Sequence, residues 1–590
     1  MFSASALTNL GDFSEVVLID TEFVSKEGER VVPVALVAHE LRSGRRHRLF
    51  FEMPGTHYEN PLPQGPDILY VAYAAQAEWS AFRALGWELP EYVVDLFAEF
   101  RAVTNGLSNP AGRPIDNRLI GALTYFGLDS MTVAEKQEMR DLILRGHPYS
   151  ASERQEIIDY CSEDVEALEM LLPVMLPFID LPYVLFRGRY SKAVASIEHS
   201  GIPVDTATLE LLMKKWAYLK ERIAREVEDQ YGFGVFEGRH WRHDRFAALI
   251  DRMGLLDEWP RTDSGLMLSV EDEVFKTMAA RFPVLQPLRD LRALTRLNEI
   301  GITAGTDGRS RYPVKPFQSV TGRNYPPTSK FIFGPCTWLR SLIKPAEGRA
   351  VAYIDWSSAE FGIAAALSGD ERMKSAYEFG DIYMSLAIDA GAAPKGATKD
   401  THPELREVYK RVVLGVQYGQ TAFGLARTLG VPIWRAQELL NLHRRVYKRY
   451  WEWNEWVSQS ATFGRKMETV FGWPMHVTSK TKPNTISNFP MQANGSEMLR
   501  WACTFATERG IEVHAPVQDA LLVGGAAQDI DDLVAATEEA MAEASDLVLD
   551  GFILRSKPTV VRYPDRYMDQ RGVEMWNRIM SLLDGMEQAA

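Results

Sequence analysis

In VVLIDTEF, Val16 to Phe23, two carboxylates, Asp20 and Glu22, follow an apolar run and stand two residues apart. Alternation along a strand sends both side chains to the same face of a sheet. In DYCSEDVEAL, Tyr160 and Asp164 are four apart and share one face of a helix. Between these segments, AYAAQAEWSAF offers Glu78. Four carboxylates, Asp20, Glu22, Glu78 and Asp164, can hold two hard divalent ions through oxygen. That arrangement activates a water and stabilises the leaving oxygen in phosphodiester hydrolysis. Any one pair alone reads as solvated strand ends or half-buried core, and the ordered set carries the signal.

A second group lies towards the C-terminus. AVAYIDWSSAEFGIAA places Asp355 at the end of an apolar strand, with Glu360 five residues on. ELREVYKRVVLGVQYGQTAFGLA spaces Arg406, Lys410, Leu414 and Tyr418 at four-residue steps, which stacks them along one helix face. Such a face can grip a triphosphate, Arg forking onto oxygens and Lys acting as a point charge, although by itself it also reads as a solvated helix. HAPVQDALLV, His514 to Val523, sets Asp519 between Gln518 and Ala520 in an apolar, strand-like run. Alone, it reads as a turn aspartate in a buried hairpin or as half of a metal site.

These residues need several cores to position them. At 590 residues the length suggests about four compact units, and the composition, 46% hydrophobic and 24% charged, is that of an ordinary globular protein. From Glu15 to about Phe178 strands VVLIDTEF, VVPVALVAHE and HRLFFEM alternate with helices, which predicts a helix-covered sheet. ATLELLMKKWAYLKERIAREVEDQYG then predicts a long amphipathic helix, and GTDGRSRYPVKPFQSVTGRNYPPTSK a basic loop. The last region opens with the strand RAVAYIDW and closes with EVHAPVQDALLVGG and a helical tail. No apolar run approaches the roughly 18 residues of a membrane span, and the first residues lack a signal-peptide pattern; the expected location is the cytoplasm. Cys161, Cys336 and Cys503 are far apart and read as core thiols. A net charge of -14 argues weakly against a nucleic-acid partner, yet a basic cleft can sit on an acidic body.

Taken in order, the motifs carry a resemblance. D-x-E at Asp20 and Glu22, the acid Glu78, and Y-x-x-x-D at Tyr160 and Asp164 resemble the proofreading 3'-5' exonucleases of the RNase H-like fold. TGR at Thr321 to Arg323, DWSSAE from Asp355, the R-x3-K-x7-YG series from Arg406, NFPMQ at Asn488 to Gln492, and VQDA at Val517 to Ala520 closely resemble family A DNA polymerases, bacterial and phage-type. The resemblance implies a multidomain α/β chain: an RNase H-like 3'-5' exonuclease domain (1–185), thumb and start of palm (186–345), then palm and fingers (346–590, fingers about 370–460). A right-hand polymerase with an antiparallel palm sheet and helical thumb and fingers is expected, with no room for a 5' nuclease domain.

The resemblance also implies roles. Asp355 and Asp519 would hold two Mg2+ ions, with Mn2+ able to substitute, helped by the backbone carbonyl of Trp356; Asp20, Glu22, Glu78 and Asp164 would hold the exonuclease metals. Arg406 and Lys410 would bind the incoming dNTP, Lys410 also donating a proton to pyrophosphate; Tyr418 would shape the pocket beside the templating base. Glu360 would exclude a 2'-hydroxyl, which argues against a related RNA polymerase. Arg323, Asn488 and Gln492 would contact primer-template DNA, Arg323 and Gln492 through minor-groove acceptors that every base pair offers. The expected protein is a monomeric DNA polymerase working with other replication proteins in replication of a phage or mobile element, or in repair. Its departures are specific: Glu78 stands where Asp is usual, with Asp95 as the runner-up ligand; Leu414 replaces an aromatic; Asn484 replaces Arg; and Gln518-Asp519-Ala520 replaces His-Asp-Glu. The alternative is a nucleic-acid-binding protein with a decayed polymerase site, acting mainly as an exonuclease.

Overall fold

The alternating segments near the N-terminus form a five-stranded sheet in a computed structural model of the protein, which describes residues 10, 13–52, 55–128, 133–237, 240–262, 265–297, 299–334, 336–417 and 419–587. Strands β1 (Glu15–Val24), β2 (Val32–Glu40), β3 (Arg46–Phe50), β4 (Ile68–Ala72) and β5 (Tyr92–Asp95) lie in the order β3-β2-β1-β4-β5. β1 is central, antiparallel to β2 and parallel to β4. A strand buried on both faces must be apolar on both, and β1 is: Val16 and Leu18 pack with Val165 and Leu168, while Val17 and Ile19 pack with Trp79 and Phe82. Those partners come from opposite sides. Helix α1 (Gln76–Leu85) covers one face, and, beyond α2 (Leu96–Thr104) and α3 (Val133–Arg145), α4 (Ala151–Met175) covers the other. Asp20 and Glu22 do not end the strand as expected. β2 still offers Pro33 and Val32 as partners, so β1 continues to Val24, with a bulge between Glu22 and Phe23.

The next helix, α5 (Leu181–Ser200), ties this unit to the rest. Gly188 lets it lie against β5, because a Cβ there would collide with the Val93 carbonyl. One residue earlier, the buried Arg187 donates from Nε and Nη2 to the Glu99 carboxylate of α2 at 2.6 and 2.7 Å. Removing either partner would strand a buried charge. α6 (Thr206–Tyr231) is the long helix expected there.

Towards the C-terminus, β6 (Arg349–Trp356), α7 (Ala359–Ser368), α8 (Ile382–Asp389), α9 (Pro403–Gln417), α10 (Ile433–Val446) and α11 (Pro483–Glu508) precede β7 (Glu512–Val517), β8 (Ala520–Ala526) and β9 (Ser556–Arg562). The four strands form an antiparallel sheet in the order β7-β8-β6-β9. EVHAPVQDALLVGG is therefore a hairpin whose two-residue turn is Gln518-Asp519. Gln518 takes the left-handed backbone, φ 57°, that such tight turns require. NFPMQ lies inside α11 despite Pro490, whose carbonyl accepts from Asn494 Nδ2 at 2.8 Å. Two of the three cysteines are core thiols; Cys336, beside the short helical turn Thr337–Leu342, is half-buried instead. Among the described residues no helix is long and apolar enough to cross a membrane.

Two buried histidines make the fold acid-sensitive. Burial pushes His443 down to about 3 and His514 down to about 4, and His443 Nδ1 accepts from Trp451 Nε1 at 3.0 Å, which fixes a neutral ring. Above pH 6.5 both rings are neutral whether folded or unfolded. As pH falls below 6.5 the unfolded chain takes protons that the fold refuses, so stability is lost towards pH 3. His443→Gln should flatten the acid limb of a denaturant-unfolding series between pH 6.5 and 4 by about 1 kcal/mol per pH unit; an unaltered slope would contradict a neutral buried His443.

Candidate active sites

The C-terminal sheet brings Asp355 and Asp519 together. Asp355 stands directly across from Ala520 in the β6–β8 ladder, and the Trp356 N–H donates to the Asp519 carbonyl at 3.1 Å. The two carboxyl groups lie close enough to interact directly. Burial, and then the charge of Asp519, pushes Asp355 up to about 7. Burial also raises Asp519, while the Arg323 guanidinium and the neighbouring Asp355 hold it back. Two acids so placed share a proton near neutrality or attract a cation.

They open onto a cleft of about 350 Å³. Arg323, Glu360, Leu414, Gln492 and Gln518 line it with them, so residues from five separate segments converge. Arg323 Nη2 lies 3.8 Å from Glu360 Oε1. Arg406, Lys410 and Asn488 are not among the lining residues. The four-residue stepping does place Arg406 and Lys410 on α9, but Arg406 Nε donates to Asp381 at 2.6 Å and its guanidinium stacks over Tyr383, 5.0 Å from the ring centre. Lys410 Nζ is 3.7 Å from Glu407. Tyr418 lies outside the described residues. Asn484 packs beside Gly419, just past the end of α9. Among the lining residues that carried no motif signal are Tyr383, set by the Asp381 cap of α8, and Gln417, the last residue of α9.

The second cluster is on β1 and α4. Carboxylate oxygens of Asp20, Glu22 and Asp164 all lie within 4.8 Å of one another. Burial, and then Asp164, pushes Asp20 up to about 7, opposed by the Cys161 thiol, which donates to Asp20 Oδ2 at 3.1 Å. Burial and the other two acids raise Glu22. Lys136 of α3 meets this field, its Nζ 2.5 Å from Asp164 Oδ1 and 5.5 Å from the Tyr160 ring centre. An oxygen-only set this close suits a hard divalent ion. Lys136 and Cys161 are contacts that sequence spacing did not reveal.

Glu78 lies outside that trio. It is on α1, which covers the opposite sheet face, and its carboxylate accepts from the Thr21 hydroxyl at 2.5 Å; burial and the nearby Asp20 raise it. Asp95 serves the fold instead of the cluster, since it caps α2 and accepts from the Phe97 and Ala74 N–H groups at 3.0 and 2.9 Å. Its other oxygen is buried without a partner.

The fold over 95% of the chain is similar to that of the "POL domain of Pol1 from M. smegmatis complex with DNA primer-template and dNTP", with a TM-score of 0.67, 19% identity and 97% of that chain covered. The likeness is one of fold, extending over nearly the whole of both chains. Residues 334–553 match the family model described as DNA polymerase family A. Among curated relatives, the thermostable DNA polymerase I of Thermus caldophilus is 23% identical over 387 residues, 61% of this chain and 45% of the relative. The DNA polymerase I of Caldicellulosiruptor bescii is 30% identical over 177 residues, 28% of this chain and 20% of the relative. The chain therefore spans less than half the length of these relatives.

The paired acids give a stability test. Because Asp355 is raised above its ordinary 3.8, the fold holds a proton that the unfolded chain has released; this contribution is complete below pH 3.8 and is lost as pH rises through 7. In chelator, Asp355→Asn should gain on wild type as pH rises from 4 to 8, reaching about 1 kcal/mol once partial solvation of the pair is allowed for. A pH-independent difference in thermal unfolding would refute the contact.

Proposed function

We propose that this protein is a template-directed DNA polymerase that extends a primer 3' end with dNTPs, and that its N-terminal unit is a 3'-5' exonuclease. The observation that carries the first part is the contact of Asp355 with Asp519 at a cleft that also gathers Arg323, Glu360, Leu414 and Gln492. The donor sets fit divalent ions: two adjacent carboxyls at one site and three clustered ones at the other. Mg2+ bound there would supply Lewis-acid activation of the attacking oxygen and neutralisation of the leaving group.

The protein's own residues do the rest. Asp355 and Asp519 would hold the cation. Arg323 and Gln492 present donors to the N3 and O2 acceptors of the newly formed duplex, testing pair geometry without reading sequence. Arg406 and Lys410, one helical turn apart on α9, take the triphosphate; to do so Arg406 exchanges Asp381 for phosphate oxygen. Glu360, held by Arg323, fills the space a 2'-hydroxyl would need, so products are DNA. Leu414 gives an apolar wall where an aromatic is common in the family. In the N-terminal unit, Asp20, Glu22 and Asp164 hold the cation, with Glu78 behind the sheet in their field, and the Tyr160 ring flanks them. The solved neighbour, bound to primer-template DNA and dNTP, supports these substrates for this chain. The setting proposed is replication of a phage or mobile element, or repair.

The two activities separate by mutation. Asp519→Ala should lower primer extension by about 10³-fold or more while 3'-terminal degradation persists; extension near wild type would sink the ligand assignment. Asp20→Ala should do the reverse, abolishing release of 3'-terminal nucleotides from single-stranded DNA in gel assays while extension continues. Degradation that survives in Asp20→Ala would place hydrolysis elsewhere or exclude it.

A further inference from the structure

Gln417 is 8% exposed, ends α9, and lines the same cleft as Asp355 and Asp519. Its Nε2 is buried with no hydrogen-bond partner among the described residues. The neighbouring buried positions of that helix are Val412, Val413 and Val416, all apolar. A buried amide donor left unpaired costs about 1–3 kcal/mol, which an aliphatic residue here would avoid. The chain thus carries a donor at the cleft wall that the fold itself does not use. Leu414, one turn earlier, and Ile363 and Met491, from α7 and α11, give the same cleft apolar surface on which a flat base can lie. The acceptors a base pair presents irrespective of its identity are purine N3 and pyrimidine O2 in the minor groove.

We propose that Gln417 is a substrate-contacting residue whose Nε2 donates to the minor-groove N3 or O2 of a base held in the cleft, a third geometry-testing donor beside Arg323 and Gln492. The inference rests on the polymerase reading given above. Gln417 would act on pair shape and not on sequence, because every correct pair offers the acceptor in equivalent positions while a mispair displaces it. Its position at the end of α9 ties this test to the helix that carries Arg406 and Lys410, so pair geometry and triphosphate grip are sensed by one rigid element.

The test deletes the acceptor from the substrate. Single-turnover primer extension is measured with 3-deaza-2'-deoxyadenosine, which keeps its pairing edge but lacks N3, placed in turn as templating base, incoming nucleotide and primer terminus. At one of these positions the analogue should slow wild type by about tenfold or more, Gln417→Leu should slow the natural substrate to a similar degree, and the two changes together should cost no more than one. Gln417→Glu, which keeps the shape and loses the donor, should behave like Gln417→Leu, and matched melting temperatures exclude misfolding. Multiplying effects at all three positions would overturn the inference, since the donor and the acceptor would then be acting separately. Wild type that fails to extend any primer would overturn the polymerase reading itself, and this contact with it.

Discussion

Asp355 and Asp519 repel one another, and the register of one antiparallel sheet holds them in contact. β6 is paired on both flanks, residue by residue, with β8 from Ala526 to Ala520 and with β9 from Arg562 to Ser556. A slip of one residue would turn Asp355 to the other face and bury a charge where Ile354 now lies fully buried. The hairpin turn sets the other acid, for Gln518 in its left-handed conformation delivers Asp519 to the strand end, and the Trp356 N–H fastens that turn to β6. Apolar burial along the ladder offsets the repulsion at its tip. Function here draws on stability made elsewhere in the same sheet.

The two acidic clusters meet the same electrostatic problem with different means. On β1 and α4 three carboxyls converge, and the protein brings its own cation, Lys136, together with a thiol donor, Cys161, to hold them. At the sheet of β6 to β9 only two converge, and the nearest help is Arg323, itself shared with Glu360. Protonation relieves both, since Asp355 and Asp519 are raised in the pair and Asp20 and Glu22 in the trio. Cation affinity follows from both arrangements, on a chain whose net charge of -14 already draws cations towards it.

The strands that carry the acids were legible because burial on both faces demands continuous apolar runs, and VVLIDTEF and RAVAYIDW have them. RAVAYIDW coincides with β6 from end to end. The hairpin reading and the metal-site reading of HAPVQDALLV proved compatible, since Asp519 is a turn residue that meets Asp355. Other features were set by packing that spacing does not encode. Four-residue steps aligned Arg406, Lys410 and Leu414, yet of the three only Leu414 lines the cleft, while Arg406 turns to Asp381 and Tyr383 and Lys410 lies near Glu407. Glu78 follows the motif order but lies on the helix covering the far face of β1. Asp95, the runner-up ligand by sequence, is committed to capping α2. Gln417 looked like one more residue in a helical run, and only a count of hydrogen-bond partners singles it out.

The Gln518-Asp519-Ala520 departure also becomes intelligible from the ladder. Residues directly opposite each other in an antiparallel pair project their side chains to the same face, with Cβ atoms about 5 Å apart. Ala520 opposes Asp355 and is fully buried; on the other flank Asp355 opposes Lys557, whose side chain is exposed. A glutamate at 520 would put a third carboxyl beside two that already crowd one another, at a position without solvent to relieve it. With alanine there, the acid pair keeps the cleft-facing edge of the sheet to itself. Gln518, exposed at the turn and uncharged at every pH, adds a donor beside Asp519 without adding to the charge. Together, the small residue and the neutral one keep the negative charge of this edge on the two carboxyls that the register holds together.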